Sequence, residues 1–188
     1  FTCYSFHPRK IITTGEGGMI TTNHKEWDEQ FRRLRHHGMN VSDLVRHQAN
    51  RVITESYSEI GYNYRLSDIQ AAVGREQLKR LPEIIKVRRN QYQIYQELLN
   101  NIPGLILPSE KPWARTNWQS YCVRLPEGTD QIHVMQSLLD SGISTRRGVM
   151  CAHREPSYRL DDSPRYNLTQ SEKAQDECII LPLYHQLT

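Results

Sequence analysis

The chain has 188 residues, long enough for one domain or for the end of one domain followed by a small second one. Its 24 Lys and Arg residues against 21 Asp and Glu give a net charge of +3, too small to indicate a nucleic-acid-binding protein. No stretch approaches the roughly 20 apolar residues of a membrane span, and no basic-then-apolar leader opens the sequence, so we expect a cytoplasmic protein without a membrane segment.

The first 38 residues predict two short strands and a helix. Residues 2–6 and 19–22 have the composition of β-strands and flank a glycine-rich turn at residues 15–18. Apolar residues spaced by four and three predict an amphipathic helix over residues 25–37, and Gly38 is suited to end it. The arginines and histidines of its last turns fit either a nucleic-acid patch or, with the better physical reason, cations that offset the negative end of the helix dipole.

The middle of the chain predicts a loop followed by two helices. Residues 39–62 lack periodicity and predict a long loop. Ser67 followed by Gln70 is the pattern of a capping box, which predicts the start of a helix. Pro82 predicts the start of a second helix, which ends before Pro103 and is long enough to connect two domains.

Beyond residue 104, apolar runs alternate with helical patterns. The runs lie at residues 105–107, 121–125, 143–150 and 179–181. A helix over residues 130–141 ends at Gly142, and Thr169 with Glu172 predicts a capped last helix. Strands that alternate with helices predict a small α/β or α+β domain.

Lys10 is the first candidate for chemistry. It lies between a strand and the glycine-rich turn, with the hydroxyl of Ser5 five residues earlier. A lysine that binds a carbonyl cofactor as a Schiff base needs a fixed amine, and a phosphate needs nearby hydroxyls and backbone N–H groups. The alternative is an ordinary solvated lysine on a loop.

Three segments carry a resemblance to a known family. SFHPRK at residues 5–10 with TTGEGG at residues 13–18 resembles the cofactor-lysine segment of the DegT/DnrJ/EryC1/StrS aminotransferases. The resemblance continues in GYNYRLSDIQAA at residues 61–72 and in GISTRR at residues 142–147, so that it covers essentially the whole chain. These enzymes use pyridoxal phosphate and act on nucleotide-linked keto sugars.

The resemblance implies an α/β fold: the end of the large domain of a fold-type I pyridoxal-phosphate-dependent transferase at residues 1–81, a connecting helix at 82–103 and a small C-terminal domain at 104–188. It implies that Lys10 binds the cofactor and moves a proton, and that Ser5 binds the cofactor phosphate. It also implies that Asn63 reaches the phosphate of the neighbouring subunit in a homodimer with shared sites. Glutamate is the expected amino donor.

The segment from Arg147 to Tyr158 concentrates cationic and aromatic side chains. Arg is suited to bind a diphosphate, and His and Tyr are suited to sugar hydroxyls, which makes Arg147, His153 and Tyr158 candidates for substrate binding. A solvated loop is the alternative. Cys151 and His153 lack the spacing and the further ligands of a metal site, so we expect no metal.

Two other functions remain open at this point. A sugar dehydratase of the same family has histidine in place of the cofactor lysine, and Lys10 argues against it. A non-catalytic sugar-nucleotide-binding or regulatory protein of the same fold is the second alternative. The family's acidic partner of the pyridinium nitrogen precedes the lysine by many residues, whereas nine residues precede Lys10, so the chain is expected to be an incomplete C-terminal part.

Overall fold

The computed structural model describes residues 1–158 and 167–187 and shows a mixed α/β chain. It divides into two compact units, Phe1–Leu81 and Pro82–Thr188, called here the first and the second unit. In the described part of the chain, no helix combines the length and the apolar composition of a membrane span.

The first unit opens with an antiparallel hairpin. Its strands are β1 (Thr2–Ser5) and β2 (Gly18–Thr21), and the register places Ser5 opposite Gly18. Every residue of both strands is exposed, and a two-stranded hairpin is at best marginally stable alone. The hairpin therefore leaves apolar side chains such as Met19 and Ile20 half uncovered.

Helix α1 (Lys25–Leu34) confirms the predicted amphipathic helix. The ring of Phe1 meets Trp27 and Phe31 edge-on, with ring centroids 5.8 and 5.6 Å apart. Gly38 adopts a φ of 73°, a left-handed conformation that glycine tolerates after a helix end. The apolar face of α1 thus packs beside the start of β1.

The expectation of an unbroken loop over residues 39–62 is wrong. A short helix, α2 (Asp43–Gln48), begins after Ser42, whose hydroxyl accepts a hydrogen bond from the Val45 N–H at 3.3 Å. Six residues are too few for a helical period to show in the sequence, so the capping serine was the one available signal.

Helix α3 (Asp68–Leu99) is 32 residues long, about 48 Å at the usual rise per residue. Its predicted capping box forms: the Gln70 N–H donates to Ser67 Oγ at 3.3 Å, and the Ser67 N–H donates to Gln70 Oε1 at 3.1 Å. The predicted second start at Pro82 is wrong, because the helix continues through that residue. Pro82 is exposed, and it removes a single N–H from a helix whose buried face continues at Ile84 and Arg88.

The second unit contains a three-stranded antiparallel sheet in the order β3–β5–β4. Its strands and helices are β3 (Tyr121–Arg124), α4 (Gln131–Asp140), β4 (Arg146–Arg147), α5 (Thr169–Glu177) and β5 (Cys178–Leu181). The helix predicted over residues 130–141 forms, and Asp130 caps it by accepting a hydrogen bond from the His133 N–H at 3.0 Å. The expected cap at Thr169 is wrong: Leu168 occupies that position and Thr169 is the first helical residue.

The core of the second unit lies on this sheet. Tyr121, Val123 and Ile179 are almost fully buried there. Trp118 stacks on Tyr92 with ring centroids 3.8 Å apart, and the buried Arg88 donates from Nη1 to the Trp118 carbonyl at 3.0 Å. The aromatic residues of α3 therefore supply much of the surface that covers β3.

Candidate functional site

Lys10 lies on a loop that backbone and side-chain hydrogen bonds close between the two strands of the hairpin. The Lys10 N–H donates to the His7 carbonyl at 2.9 Å, and the Phe6 N–H extends the ladder to the Gly17 carbonyl at 2.9 Å. The Phe6 carbonyl accepts twice, from the Thr13 hydroxyl at 2.8 Å and from the Thr14 N–H at 3.1 Å. These bonds fix the backbone that carries the lysine.

The side chains of Lys10 and Ser5 remain available for a ligand. Both residues are exposed, and within the described residues nothing forms a hydrogen bond or an ion pair with the Lys10 amine. Ser5 Oγ accepts from the His7 N–H at 3.4 Å, which leaves its O–H free to donate. His7 thus connects the two residues, because its N–H contacts Ser5 and its carbonyl holds Lys10.

The glycines of this loop have a structural cause that the sequence did not show. A Cβ on Gly17 would lie 2.7 Å from the Thr14 hydroxyl, and one on Gly18 would lie 2.8 Å from the Tyr4 carbonyl. At Gly18 the close atom belongs to the backbone and cannot rotate away, and Gly17 has a φ of 146°, a conformation that side chains rarely adopt, so the hairpin and its loop favour glycine at both positions.

The loop is tied to the start of α3. Gln70 donates from Nε2 to the Glu16 carbonyl at 2.8 Å, and the buried Thr14 hydroxyl donates to the same carbonyl at 2.7 Å. A Cβ on Gly74 would lie 2.9 Å from the Thr14 methyl group. The capping glutamine therefore holds both a helix end and the lysine loop, a role that sequence reasoning missed.

Asn63 is positioned by the end of helix α1. Tyr62 and Tyr64 donate their N–H groups to the carbonyls of Leu34 and Arg35 at 2.6 and 2.9 Å, and the His37 N–H returns a bond to the Tyr62 carbonyl at 2.9 Å. These carbonyls belong to the helix end, where intrahelical partners run out. The segment around Asn63 thus completes the hydrogen bonding of α1.

Two glycines allow this close approach. A Cβ on Gly38 would lie 1.9 Å from the Glu59 carbonyl oxygen, and one on Gly61 would lie 2.1 Å from the Gly38 nitrogen. Asn63 itself is exposed, and its Oδ1 accepts from Arg65 Nε at 3.1 Å. In the part of the chain that the structure describes, no hydrogen bond joins Asn63 to Ser5 or Lys10.

The first unit also has two open clefts. One, of about 910 Å³, lies between the hairpin, α1 and the tyrosines Tyr62 and Tyr64. The other, of about 730 Å³, lies beside the arginine-rich end of α1. Neither of these two clefts is lined by Lys10, Ser5 or Asn63.

The second unit holds the three candidates for substrate binding. Arg147, on β4, forms an ion pair with Glu155 at 3.6 Å, and half of its side chain is exposed. His153 lies on a 3₁₀ turn (Ala152–Arg154), and its Nε2 is 2.8 Å from Glu172 Oε1. Tyr158 ends a second 3₁₀ turn (Pro156–Tyr158) with 62% of its surface exposed.

Helix α5 fastens the segment that carries His153. The Cys151 N–H donates to Gln175 Oε1 at 2.5 Å, and Arg154 Nη1 donates to both carboxylate oxygens of Asp176 at 2.8 and 2.9 Å. Sequence reasoning singled out the cations of this segment but missed the acids that pair with them. Glu172 and Asp176, four residues apart on one helix face, were the signal that was present.

The side chains of Lys10 and Ser5 are suited to bind two groups of pyridoxal phosphate, its carbonyl carbon and its phosphate. The amine of Lys10 has no partner among the described residues and matches the carbonyl carbon of the cofactor, while the free O–H of Ser5 matches its phosphate. The backbone around both side chains is fixed by the hydrogen bonds given above. The residues of the loop therefore fit the cofactor.

The chain is similar to known proteins over its whole length. It is 32% identical to the uncharacterized protein MJ1066 of Methanocaldococcus jannaschii, an alignment that covers 100% of this chain and 50% of that protein. The chain thus spans about half the length of the curated relative that it matches.

Solved structures agree with this similarity. The chain superposes on PseC of Helicobacter pylori, an aminotransferase involved in the biosynthesis of pseudoaminic acid, with a TM-score of 0.85 and 26% identity, covering 99% of this chain and 48% of PseC. The aminotransferase TlmJ from Streptoalloteichus hindustanus gives a TM-score of 0.83 with 27% identity, and covers 99% and 47% of the two chains. S. venezuelae DesV, in complex with a ketimine intermediate, gives 0.81 with 28% identity and the same coverage.

A model of one family matches the complete chain, residues 1–188. The segments around Lys10 and Asn63 that suggested this family lie within the match. The chain belongs to the DegT/DnrJ/EryC1/StrS aminotransferase family.

Proposed function

We propose that this chain is the part of a pyridoxal-phosphate-dependent aminotransferase that carries the cofactor lysine. The complete protein would transfer an amino group from glutamate to a nucleotide-linked keto sugar in the cytoplasm. The observation that carries the proposal is the amine of Lys10, which has no partner among the described residues and lies on a backbone-fixed loop, five residues after Ser5 and three after His7 in SFHPRK.

When bound, pyridoxal phosphate supplies an electron sink for the carbon that gains or loses the amino group. Lys10 would hold the cofactor, and its Nζ would take and return a proton during the transfer. Ser5 donates its O–H to the phosphate. The partner subunit's Asn63 donates its side-chain amide to the same phosphate, since its Oδ1 is engaged by Arg65 and its N–H groups remain.

The two compact units support a division into domains. We assign residues 1–81 to the end of the large cofactor-binding domain and 104–188 to a small C-terminal domain, joined by residues 82–103, in which the second part of α3 runs to Leu99. Among the described residues of the first unit, Met39 is the one apolar side chain with less than a tenth of its surface exposed. A unit with so small a core needs further protein surface against it, which fits a homodimer with shared sites.

Substrate binding is assigned to the second unit. Arg147 is half exposed and faces the diphosphate, while His153 and Tyr158 provide a ring nitrogen and a hydroxyl for the sugar. The ion pairs of Arg147 and His153 with Glu155 and Glu172 limit the freedom of both side chains before a ligand arrives.

Replacing Lys10 tests the proposal. Lys10→Ala in the complete protein should abolish the visible absorbance that added pyridoxal phosphate gives with the wild type, together with amino transfer from glutamate to a keto-sugar nucleotide. Lys25→Ala is the matched control, because Lys25 is an exposed lysine of the same unit in an ion pair with Glu29. A wild type that binds the nucleotide sugar tightly without turnover would instead favour the non-catalytic binding protein.

Mixing variants tests the role of Asn63 across the dimer. In a hybrid dimer of one Lys10→Ala and one Asn63→Ala subunit, the second subunit keeps Lys10 and the first keeps Asn63. If Asn63 acts on the neighbouring subunit, one of the two sites therefore has both native residues. Random mixing in equal amounts should then restore about a quarter of the wild-type sites. No recovery on mixing, with hybrids verified by mass spectrometry, would show that Asn63 does not act across the interface.

A further inference from the structure

His153 and Glu172 form the shortest contact around the candidate substrate residues of the second unit. His153 Nε2 lies 2.8 Å from Glu172 Oε1, and 27% of the His153 side chain remains exposed. A carboxylate can only accept hydrogen bonds, so the imidazole must carry its hydrogen on Nε2. In the neutral ring this leaves Nδ1 as the acceptor.

The surroundings of Glu172 hold it in place. It lies in the first turn of α5, where the positive end of the helix dipole favours a carboxylate, and its N–H donates to the Leu168 carbonyl at 3.0 Å. The hydrogen bond to Asp176 raises the pKa of Arg154, and the nearby charge of Glu172 adds to this effect. Glu172 is therefore surrounded by positive potential from two sources, a helix end and a guanidinium.

The backbone next to His153 is fixed to the same helix. Gln175 accepts the Cys151 N–H, and Asp176 binds the guanidinium of Arg154. Three side chains on one face of α5 thus hold residues of the segment 151–154. Glu172 is the one of the three that contacts an imidazole. Of the other two contacts, one fixes the backbone at Cys151 and one holds the Arg154 side chain, whereas Glu172 fixes a ring that is still partly exposed.

We propose that Glu172 is a positioning residue: it orients His153 and fixes its tautomer so that Nδ1 accepts a hydrogen bond from a hydroxyl of the sugar substrate. This inference rests on the proposed function, since it deepens the role given to His153. In this proposal, Nδ1 of His153 recognises the sugar O–H, and Glu172 sets the protonation of that nitrogen without touching the sugar.

The test measures the tautomer and the binding of a ligand separately, in the complete protein. Long-range ¹H–¹⁵N spectra at a pH of about 8, where an ordinary histidine is neutral, report which ring nitrogen of His153 is protonated, with the signal assigned by its loss in His153→Ala. Calorimetry with dTDP-glucose, UDP-N-acetylglucosamine and GDP-mannose reports binding. Asp176→Ala is the matched control, because it removes the neighbouring ion pair on the same helix face without touching His153.

We expect the wild type to show the Nε2–H form and Glu172→Ala to show a mixture of both forms, with binding of the nucleotide sugar weakened by roughly tenfold. Glu172→Gln should retain both properties, because its Oε1 still accepts from Nε2. Asp176→Ala should leave the tautomer unchanged. In a His153→Ala background, Glu172→Ala should cause no further loss of binding, and Glu172→Met can replace the alanine variant if that variant folds poorly.

Three results would overturn the assignment: an unchanged His153 signal in Glu172→Ala, a changed signal with unchanged binding, or the same tautomer change in Asp176→Ala. If none of the three nucleotide sugars binds the wild type, the proposed function and this inference both fail. If the sugars bind as described but no amino transfer occurs, the proposed function fails and the positioning role of Glu172 stands.

Discussion

Gly61→Ala should detach the Asn63 segment from helix α1. The added Cβ would lie 2.1 Å from the Gly38 nitrogen and 2.5 Å from the His37 carbonyl carbon, where ordinary contact begins at 3.4 Å, so the shortfall at the nitrogen is 1.3 Å. All the nearest atoms belong to the backbone and cannot rotate away as a side chain would. The segment must therefore move as a whole.

The cost follows from the bonds that this movement breaks. The Tyr62 N–H bond to Leu34 and the His37 N–H bond to the Tyr62 carbonyl, 2.6 and 2.9 Å long, both cross the contact. With a net value of about 1 kcal/mol for each bond and steric strain of similar size, we expect a loss of about 2–4 kcal/mol. At 2 kcal/mol, the Tyr62 amide should exchange with solvent deuterium roughly thirtyfold faster.

Hydrogen exchange of the Tyr62 and Tyr64 amides, together with urea unfolding, measures this loss. Gly15→Ala is the control within the same unit: its φ is 83° and a Cβ there meets nothing within 4 Å, so it isolates conformational strain of about 1 kcal/mol. Unchanged exchange of both tyrosine amides in Gly61→Ala would refute the reasoning, as would an equal loss in the control.

Three further predictions concern the rest of the chain. The hydrogen bonds from Arg89 and from the Thr116 N–H lower the pKa of Glu110 to about 2. The ionised Glu110 carboxylate therefore stabilises the fold fully above its ordinary pKa of 4.5, and this stabilisation is lost as the pH falls toward 2. Glu110→Gln should flatten the dependence of the urea midpoint on pH over this window. Burial raises the pKa of the Cys122 thiol to about 11, so iodoacetamide should alkylate the exposed Cys3 well before Cys122. Peptide mass spectrometry of a time course measures both rates, and equal rates would contradict the burial of Cys122. Pro82→Ala should raise the melting temperature, because it restores a backbone hydrogen bond of α3 at an exposed site. We expect the free energy of unfolding to rise by about 1–3 kcal/mol. A lower melting temperature would show that the proline stabilises the helix.

Local signals predicted the elements that depend on neighbouring residues. Ser67 and Gln70 form the capping box that their spacing predicts. Pro82 was misread because proline is equally acceptable in the first turn of a helix and, at a moderate cost, within an exposed helix held by tertiary contacts. The choice between the two depends on the buried face at Ile84, which a local pattern does not show.

The sequence predicted the candidate residues of the site, but it did not predict the side chains that form hydrogen bonds with them. The motif around Lys10 identified the loop, but the bond from Gln70 to the Glu16 carbonyl joins positions 54 residues apart. The pair of His153 and Glu172 spans 19 residues, and nothing in the sequence chooses Glu172 over the other acids nearby. Contacts of this range are set by the packing of whole elements, which is why the sequence revealed the reactive groups before the groups that hold them.

The strand order of the second unit has a consequence for how the protein is made. β5 is the last of the three strands of this sheet in chain order and lies between β3 and β4, and each of those pairs with β5 and not with the other. Until Leu181 has been synthesised, β3 and β4 have no strand beside them in this sheet. Folding of this unit must therefore wait for nearly its whole sequence, and a nascent chain stalled a few residues short of β5 would present unpaired strand edges to chaperones and to other nascent chains.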